Sequence, residues 1–184
     1  LGGGLGVTYN EEAPPAPADY VQALLKHIPG DLPVHIEPGR AIAANAGIFV
    51  TQVLFLKPTE HKNFAIVDGA MNALIRPSLY SAWQNIVPVK PHDADCRDWD
   101  IVGPVCETGD TFATACELTD LPAGEFLVIR DTGAYGAVMA STYNSRALVP
   151  EVMVNGEEFA VIRRRVTTEA YLDYEDMPDW LKGD

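Results

Sequence analysis

The chain has 184 residues, 47% of them hydrophobic, and its 26 acidic and 13 basic side chains give a formal net charge of −13. This apolar content predicts a packed core, and the length suits one domain or one domain plus part of another. An acidic surface repels phosphate backbones and anionic lipids, so nucleic acid and membranes are not expected partners.

The sequence also shows no recognisable targeting signal and no metal-binding motif. No apolar run has the length of a bilayer span, and no basic leader opens the chain, so we expect neither a membrane span nor secretion. The cysteines are odd in number and widely spaced, which is typical of a reducing, cytoplasmic compartment. They are Cys96, Cys106 and Cys116. The histidines match no metal-ligand spacing, so no metal is expected. They are His27, His35, His61 and His92.

The first predicted region covers residues 1–46. It opens on a glycine-rich turn with no initiator methionine and almost no preceding strand, so we expect the sequence to be cut from a longer chain. Asp19 is a candidate cap for a helix with one apolar face, and Gly30 is a candidate stop. That face comprises Val21, Leu24, Leu25 and Ile28. Residues 34–36 are predicted as a buried strand, which gives an α/β alternation.

The second predicted region covers residues 47–184 and is mainly β. Segments rich in Val, Ile, Phe and Leu predict strands. They are residues 48–57, 64–68, 86–90, 125–130 and 151–165. Asn155-Gly156 predicts a two-residue hairpin turn inside the last segment. Short helices are predicted near residues 77–83 and 169–173. The fold class is therefore α+β, mainly β, with a β-barrel or sandwich-like domain after residue 47.

Five motifs have residue types that suit chemistry. Gly2-Gly3-Gly4 lets backbone N–H groups crowd around a phosphate, although a tight turn between strand and helix is the more usual reason for such a triplet. Glu37-Pro38-Gly39-Arg40 follows a predicted strand and combines close backbone approach with a fixed cation, although an ordinary turn with a surface ion pair is the alternative. Arg76 and Tyr80 are four residues apart, so they share a face if a helical turn forms, which would more usually be a solvated face.

The remaining two motifs are Gly/Pro-rich loops. Residues 103–110 place Cys106 beside Glu107, a pair that can donate a proton or attack an electrophile, unless the thiol is merely buried and the glutamate is a cap. Residues 133–136 place Tyr135 between glycines, where its ring can contact a flat ligand or its hydroxyl a phosphate. The alternative is a strand-end tyrosine that satisfies its own hydroxyl.

In this order and spacing the motifs resemble the diaminopimelate decarboxylases, from residue 1 to about residue 176. The matching stretches also include Asp68-Gly69-Ala70, Val138-Met139 and Tyr143-Asn144-Ser145-Arg146. The resemblance implies a pyridoxal 5'-phosphate enzyme with an N-terminal β/α barrel and a C-terminal β domain. Residues 1–46 would then be the last βα elements of the barrel, and residues 47–184 the β domain.

The resemblance also implies a role for each motif residue. Gly3, Gly4, Gly39 and Arg40 resemble phosphate contacts, and Glu37 resembles the acid facing the pyridine nitrogen. Arg40, Arg76, Tyr80 and Tyr135 resemble substrate-binding residues, with Tyr135 also close to the phosphate. Glu107 resembles the residue that meets the distal amino group, and Cys106 the thiol that returns a proton. Cys106 and Glu107 would enter the neighbouring subunit's site, which implies a homodimer.

The implied reaction is decarboxylation of meso-diaminopimelate to L-lysine and CO2. The family's cofactor-binding lysine precedes the glycine triplet, and no lysine here sits in a matching motif, so we expect the chain alone to be inactive without the missing N-terminal barrel segment. The lysines are Lys26, Lys57, Lys62, Lys90 and Lys182. Two alternatives stay open: a decarboxylase of ornithine, arginine or a carboxylated diamine, and a non-catalytic binding protein of the same fold.

Overall fold

The computed structural model describes residues 1–30, 32–91, 93 and 95–182. Within them the chain forms four short α-helices. These are α1 (Pro17–Leu25), α2 (Gly39–Ala43), α3 (Arg76–Tyr80) and α4 (Thr168–Leu172). Short 3-10 helices form at Ala44–Ala46, Ala137–Met139, Tyr143–Ser145 and Asp179–Leu181. None of the described helices is long and apolar enough to cross a membrane.

Eight strands make up the rest of the described secondary structure. They are β1 (Phe49–Pro58), β2 (Asn63–Val67), β3 (Ile86–Pro88), β4 (Cys96–Val102), β5 (Thr111–Thr119), β6 (Phe126–Ile129), β7 (Glu151–Asn155) and β8 (Glu158–Arg163). The first six form one sheet in the order β3-β6-β1-β2-β4-β5, and β7 and β8 form a separate hairpin. The mainly β fold class is thereby confirmed.

The six-stranded sheet is mixed and strongly curled. Its pairs are antiparallel except for β2 and β4, which run parallel with Phe64 opposite Asp100. The long connection between these two strands, residues 68–95, contains α3 and β3. The two outer strands β3 and β5 also contact each other, so the sheet nearly closes on itself. Residues far apart in sequence are therefore brought to the ends of one small barrel-like unit.

One hydrophobic core fills this sheet. Its buried members are Val53, Ala65, Val67, Leu74, Ile86, Trp99, Ile101, Phe112, Leu118, Leu121, Leu127 and Ile129. Alternate residues of the strands face it, as the two-residue period of a strand requires. The loops that connect these strands are held at both ends by the packed sheet. One of them, residues 103–110 between β4 and β5, contains Cys106 and Glu107.

The strand predictions near residues 48–57, 64–68, 86–90 and 125–130 are confirmed, as is the hairpin, whose Gly156 has φ +60°. Strands β4 and β5 escaped prediction because polar residues interrupt their apolar pattern. Asp100 is the clearest case: its buried carboxylate accepts hydrogen bonds from Lys62 Nζ at 2.8 Å and from the Ala115 N–H at 2.9 Å. These hydrogen bonds compensate the cost of burying the charge. Because the partners are distant along the chain, the local sequence around Asp100 does not reveal them.

The predicted strand at residues 34–36 is wrong, since this segment has no regular structure. A strand needs a neighbour along its length, and here a hydrogen bond from the Glu37 N–H to the Gly2 carbonyl, 3.3 Å long, joins two otherwise irregular segments. The predicted first helix forms as α1, but Ala16 rather than Asp19 is its N-cap, and it ends before Gly30. The two short predicted helices form as α3 and α4. The domain boundary at residue 47 stays a prediction.

Candidate active site

The glycine triplet and the Glu37–Arg40 motif lie against each other. A Cβ added to Gly3 would lie 2.5 Å from the Glu37 carbonyl oxygen, so no side chain fits there. Gly4 has φ +95°, a conformation that glycine adopts without strain. The Tyr20 hydroxyl donates a hydrogen bond to the Gly3 carbonyl at 2.5 Å. These contacts produce a narrow, bare stretch of backbone next to α2.

Arg40 projects from α2 between two tyrosine rings. Its guanidinium carbon lies 5.9 Å from the Tyr9 ring centroid and 5.5 Å from that of Tyr135, distances at which a cation and a ring attract each other. Gly39 is the first residue of α2, and a Cβ there would meet nothing within 4 Å. The half-buried Arg40 is therefore part of a packed group, and the surface ion pair considered as an alternative does not form among the described residues.

Tyr135 is held in place by a strained loop. Its φ of +61° is unusual for a residue with a side chain, and such strain concentrates at functional sites. The Gly133 N–H donates to the Ala44 carbonyl at 3.0 Å, and a Cβ on Gly133 would collide with the Ala43 carbonyl oxygen. The loop thus packs directly on the end of α2, and this contact sets the Tyr135 ring against Arg40.

Arg76 begins α3 and is 9% exposed. Its guanidinium carbon lies 5.7 Å from the Tyr80 ring and 5.6 Å from the Tyr135 ring. Its Nε is buried and has no hydrogen-bond partner among the described residues. A buried cation with an unused donor is costly unless an anion reaches it. The solvated-face alternative for Arg76 is therefore wrong.

These contacts join three predicted motifs into one structure, which we call the tyrosine–arginine ladder. Its members in order are Tyr9, Arg40, Tyr135, Arg76 and Tyr80. The ladder places two guanidinium groups close to one aromatic ring, 5.5 and 5.6 Å from the Tyr135 centroid. Two fixed cations near a flat ring suit a ligand with two separate anionic groups.

Cys106 and Glu107 lie on an exposed loop between β4 and β5. The buried-thiol alternative is therefore wrong. The Tyr143 hydroxyl donates to Glu107 Oε2 at 3.3 Å, and the Gly109 N–H donates to Glu107 Oε1 at 3.3 Å. The negative charge of Glu107, this hydrogen bond and the nearby Cys106 raise the pKa of Tyr143. The phenol thus stays protonated and available as a donor to the carboxylate.

Buried Asp110 shapes this loop. Its carboxylate accepts hydrogen bonds from the N–H groups of Met71 and Val105, both at 2.7 Å, and Gly103 leaves the space that it occupies. The Ser78 hydroxyl donates to the Gly109 carbonyl at 2.5 Å. Through Ser78 the loop is connected to α3, which carries Arg76.

The predicted site residues therefore fall into two groups. The first contains Gly3, Gly4, Glu37, Gly39, Arg40, Arg76, Tyr80 and Tyr135. The second is Cys106 with Glu107. No hydrogen bond or ion pair among the described residues joins the second group to the two arginines. No local sequence pattern indicated Tyr9 or Tyr20, because each contacts a residue that is distant along the chain.

Among the described residues, neither the other thiols nor the histidines belong to either group. Burial raises the pKa of the Cys116 thiol to about 11, and the charge of Asp98 adds to this effect, so Cys116 stays neutral. In the described part of the chain no three His, Cys, Asp or Glu side chains are grouped as a metal site would require. His92 lies outside the described residues.

The first group fits pyridoxal 5'-phosphate. Neither the Gly3 N–H nor the Gly4 N–H donates a hydrogen bond to another described residue, and the Glu37 carbonyl oxygen that packs against Gly3 precedes the helix that carries Arg40. Free N–H groups beside a cation are the donor set that a phosphate needs. Glu37 is exposed and forms no ion pair with a described residue, so its carboxylate can accept a hydrogen bond from the N–H of a protonated ring nitrogen.

Comparison with known proteins places these features in a family. Residues 10–133 match the C-terminal sheet domain of the pyridoxal-dependent decarboxylases. The chain is 53% identical over 167 residues to the diaminopimelate decarboxylase of Vibrio cholerae, covering 90% of this chain and 40% of that protein.

Two solved structures are also similar. The diaminopimelate decarboxylase of Helicobacter pylori, complexed with L-lysine, has a TM-score of 0.87 and 42% identity over 94% of this chain and 43% of its own. That of M. jannaschii, also with L-lysine, has a TM-score of 0.89 and 32% identity over 98% of this chain and 43% of its own. The chain thus spans about two-fifths of the length of the relatives it matches.

Proposed function

The chain belongs to the pyridoxal-dependent decarboxylases through their C-terminal sheet domain, and on this premise we propose that it is the C-terminal part of a diaminopimelate decarboxylase. The complete protein converts meso-diaminopimelate to L-lysine and CO2 in lysine biosynthesis. The observation that carries the proposal is Arg76, a buried cation with an unpartnered Nε, which suits the distal carboxylate that distinguishes this substrate from a simple diamine.

The cofactor is held by the first group of residues. Gly3, Gly4, Gly39 and Arg40 bind its phosphate, and Glu37 pairs with its ring nitrogen. When bound, pyridoxal 5'-phosphate withdraws the electrons that remain when the carboxylate leaves as CO2. None of the chain's lysines makes a described contact with the ladder. In this proposal the lysine that would hold the cofactor covalently is supplied by another part of the complete protein.

The substrate is recognised at both ends. Arg76 binds the distal carboxylate with Tyr80 packed against its guanidinium, while Glu107 accepts the distal ammonium group. Arg40 and Tyr135 contact the end of the substrate nearest the phosphate. A site built for both distal charges discriminates against ornithine, which would leave Arg76 buried and unpaired.

Cys106 returns the proton after CO2 has left. Its exposed position at the tip of an anchored loop lets the thiol reach a ligand, and Sγ–H is the group that delivers the proton to the reacting carbon. The absence of a bond between this loop and the arginines, within the described residues, supports a homodimer in which the loop completes the partner's site. Exposed free thiols at Cys96 and Cys106 support a cytoplasmic location.

Turnover by the complete protein tests the proposal. We expect lysine and CO2 from meso-diaminopimelate, and at least 10-fold lower kcat/KM with ornithine. Arg76→Met should lower kcat/KM for diaminopimelate by about 10- to 100-fold, the value of a hydrogen bond to a charged group. Arg164→Met, at an exposed arginine outside both groups, is the matched control and should change little. Equal turnover of ornithine would favour the sibling decarboxylases, and no turnover of any amino acid the non-catalytic alternative.

Mixing two inactive variants tests the shared site. If Cys106 serves the partner, a heterodimer of Arg76→Met and Cys106→Ala contains one site with both native residues. Mixed protein should then regain up to about a quarter of the native activity, since half of the dimers are mixed and each has one intact site. Mixtures that stay as inactive as either parent would place both residues in one subunit's site.

A further inference from the structure

The hydrogen bond from Tyr20 to Gly3 joins a residue with no assigned role in the reaction to the candidate phosphate site. Tyr20 is half-buried in α1, and its hydroxyl oxygen lies 2.5 Å from the Gly3 carbonyl oxygen, 17 residues earlier in the chain. The helix holds Tyr20 through its own backbone, since the Tyr20 N–H donates to the Ala16 carbonyl at 3.0 Å. The bond therefore connects a regular element to the glycine-rich segment of the candidate phosphate site.

The hydrogen bond from Tyr20 to the Gly3 carbonyl also determines where the neighbouring Gly4 N–H points. No peptide bond in the described residues is cis, and in a trans peptide the C=O and the following N–H point in opposite directions. When Tyr20 holds the Gly3 carbonyl, the Gly4 N–H must point away from Tyr20. The Glu37 carbonyl oxygen also packs against Gly3, 2.5 Å from where a Gly3 Cβ would lie. Tyr20 and Glu37 thus both restrict the loop, while the Gly4 N–H donates to no described acceptor.

We propose that Tyr20 is a positioning residue for phosphate binding, because its hydroxyl holds the Gly3–Gly4 peptide so that the Gly4 N–H faces the phosphate of pyridoxal 5'-phosphate. The inference rests on the proposed function. Without this hydrogen bond a loop of three glycines samples many backbone conformations, since glycine has the largest conformational freedom of any residue. Tyr20 reduces that freedom before the ligand arrives, which strengthens binding.

Equilibrium binding of two ligands to the complete protein tests the role. Pyridoxal 5'-phosphate and pyridoxal share the ring and the aldehyde and differ in the phosphate. Tyr20→Phe should raise the dissociation constant of pyridoxal 5'-phosphate about three- to tenfold, as expected for the loss of one hydrogen bond, and that of pyridoxal less than twofold. Tyr174→Phe removes a hydroxyl from an exposed ring and is the matched control, with both constants unchanged.

Two further readouts separate positioning from folding. The far-ultraviolet circular dichroism and the midpoint of thermal unfolding of Tyr20→Phe should stay close to those of the native protein. Gly4→Ala, which strains the same peptide at φ +95°, should weaken the phosphate ligand selectively as well. Equal weakening of both ligands by Tyr20→Phe, or no weakening of either, would overturn the proposal.

The failure of the proposed function has a different signature. A native protein that binds the cofactor through its phosphate but releases no CO2 from diaminopimelate would contradict the substrate and leave the role of Tyr20 intact. A native protein that binds pyridoxal as tightly as pyridoxal 5'-phosphate would contradict both the proposed phosphate site and the positioning role of Tyr20.

Discussion

The six-stranded sheet and the C-terminal hairpin are built from similar residues but are stabilised very differently. In the sheet, alternate side chains such as Ile101 and Leu127 are fully buried. In the hairpin, Val154 and Phe159 lie opposite each other and are 69% and 77% exposed. Apolar composition therefore does not by itself produce a core. The six-stranded sheet curls so that its inner face packs against itself, whereas the two-stranded hairpin has no other element covering it within the described residues.

The two halves of the candidate site differ in the same way. The tyrosine–arginine ladder joins residues of α2, α3 and a strained loop, and its Arg76 is buried. The Cys106–Glu107 loop is exposed, although Asp110 anchors its base. In the proposed function the ladder recognises a fixed set of charges, and the loop delivers a proton to a site in the partner subunit.

The largest expected effect comes from the core of the sheet. Ile101→Ala should lower the free energy of unfolding by about 2–5 kcal/mol, because it removes a fully buried side chain and leaves a cavity. Chemical denaturation followed by the fluorescence of buried Trp99 measures this change. A loss below about 1 kcal/mol would mean that the curled sheet is not the stabilising unit.

The anchor of the Cys106 loop comes next. Asp110→Ala leaves the buried N–H groups of Met71 and Val105 without acceptors, so we expect a loss of about 2–4 kcal/mol. Asp176→Ala, at an exposed carboxylate, is the control. Chemical denaturation measures both variants. Equal stability of Asp110→Ala and Asp176→Ala would contradict the role of Asp110 as the anchor of the loop.

The buried carboxylate of β4 makes the sheet sensitive to acid. Burial alone raises the pKa of Asp100, but hydrogen bonds from Lys62 and the Ala115 N–H and the charge of Lys62 outweigh it, so the pKa is lowered. The resulting stability is present above the ordinary carboxyl pKa of about 4 and is lost as the pH falls through the lower folded value. Lys62→Met should therefore shift acid unfolding to higher pH.

Acid titration of that variant, with exposed Lys57→Met as the control, measures the shift in the unfolding midpoint. An unchanged midpoint in Lys62→Met would show that this ion pair does not stabilise the folded sheet at acidic pH.

The smallest effect is expected in the hairpin. Val154→Ala should change the free energy of unfolding by less than about 0.5 kcal/mol, because the side chain is already mostly in water. Denaturation of this variant beside Ile101→Ala makes the comparison direct. A loss of 2 kcal/mol or more would mean that something covers this face of the hairpin in solution.

Much of the fold was predictable because local pattern and tertiary outcome agree in the apolar strands. The predictions failed where the partner is distant: β4 contains Asp100, whose acceptable burial depends on Lys62, and residues 34–36 lack the neighbouring strand that their apolar pattern needs. The motif residues were recognisable one by one, and the resemblance linked them, but neither indicated that Arg40 and Arg76 share the Tyr135 ring.

The sequence by itself determined the mainly β fold class, the family and the residue types of the site, since strand periodicity and the glycine, proline and charged motifs are local properties. Only the tertiary structure decided which of these residues meet. Contacts such as Tyr20 with Gly3, and Tyr135 with both arginines, depend on how the loops leave the sheet. The reason is physical: a hydrogen bond or a cation–ring contact acts over a few ångströms in space, however far apart its partners are along the chain.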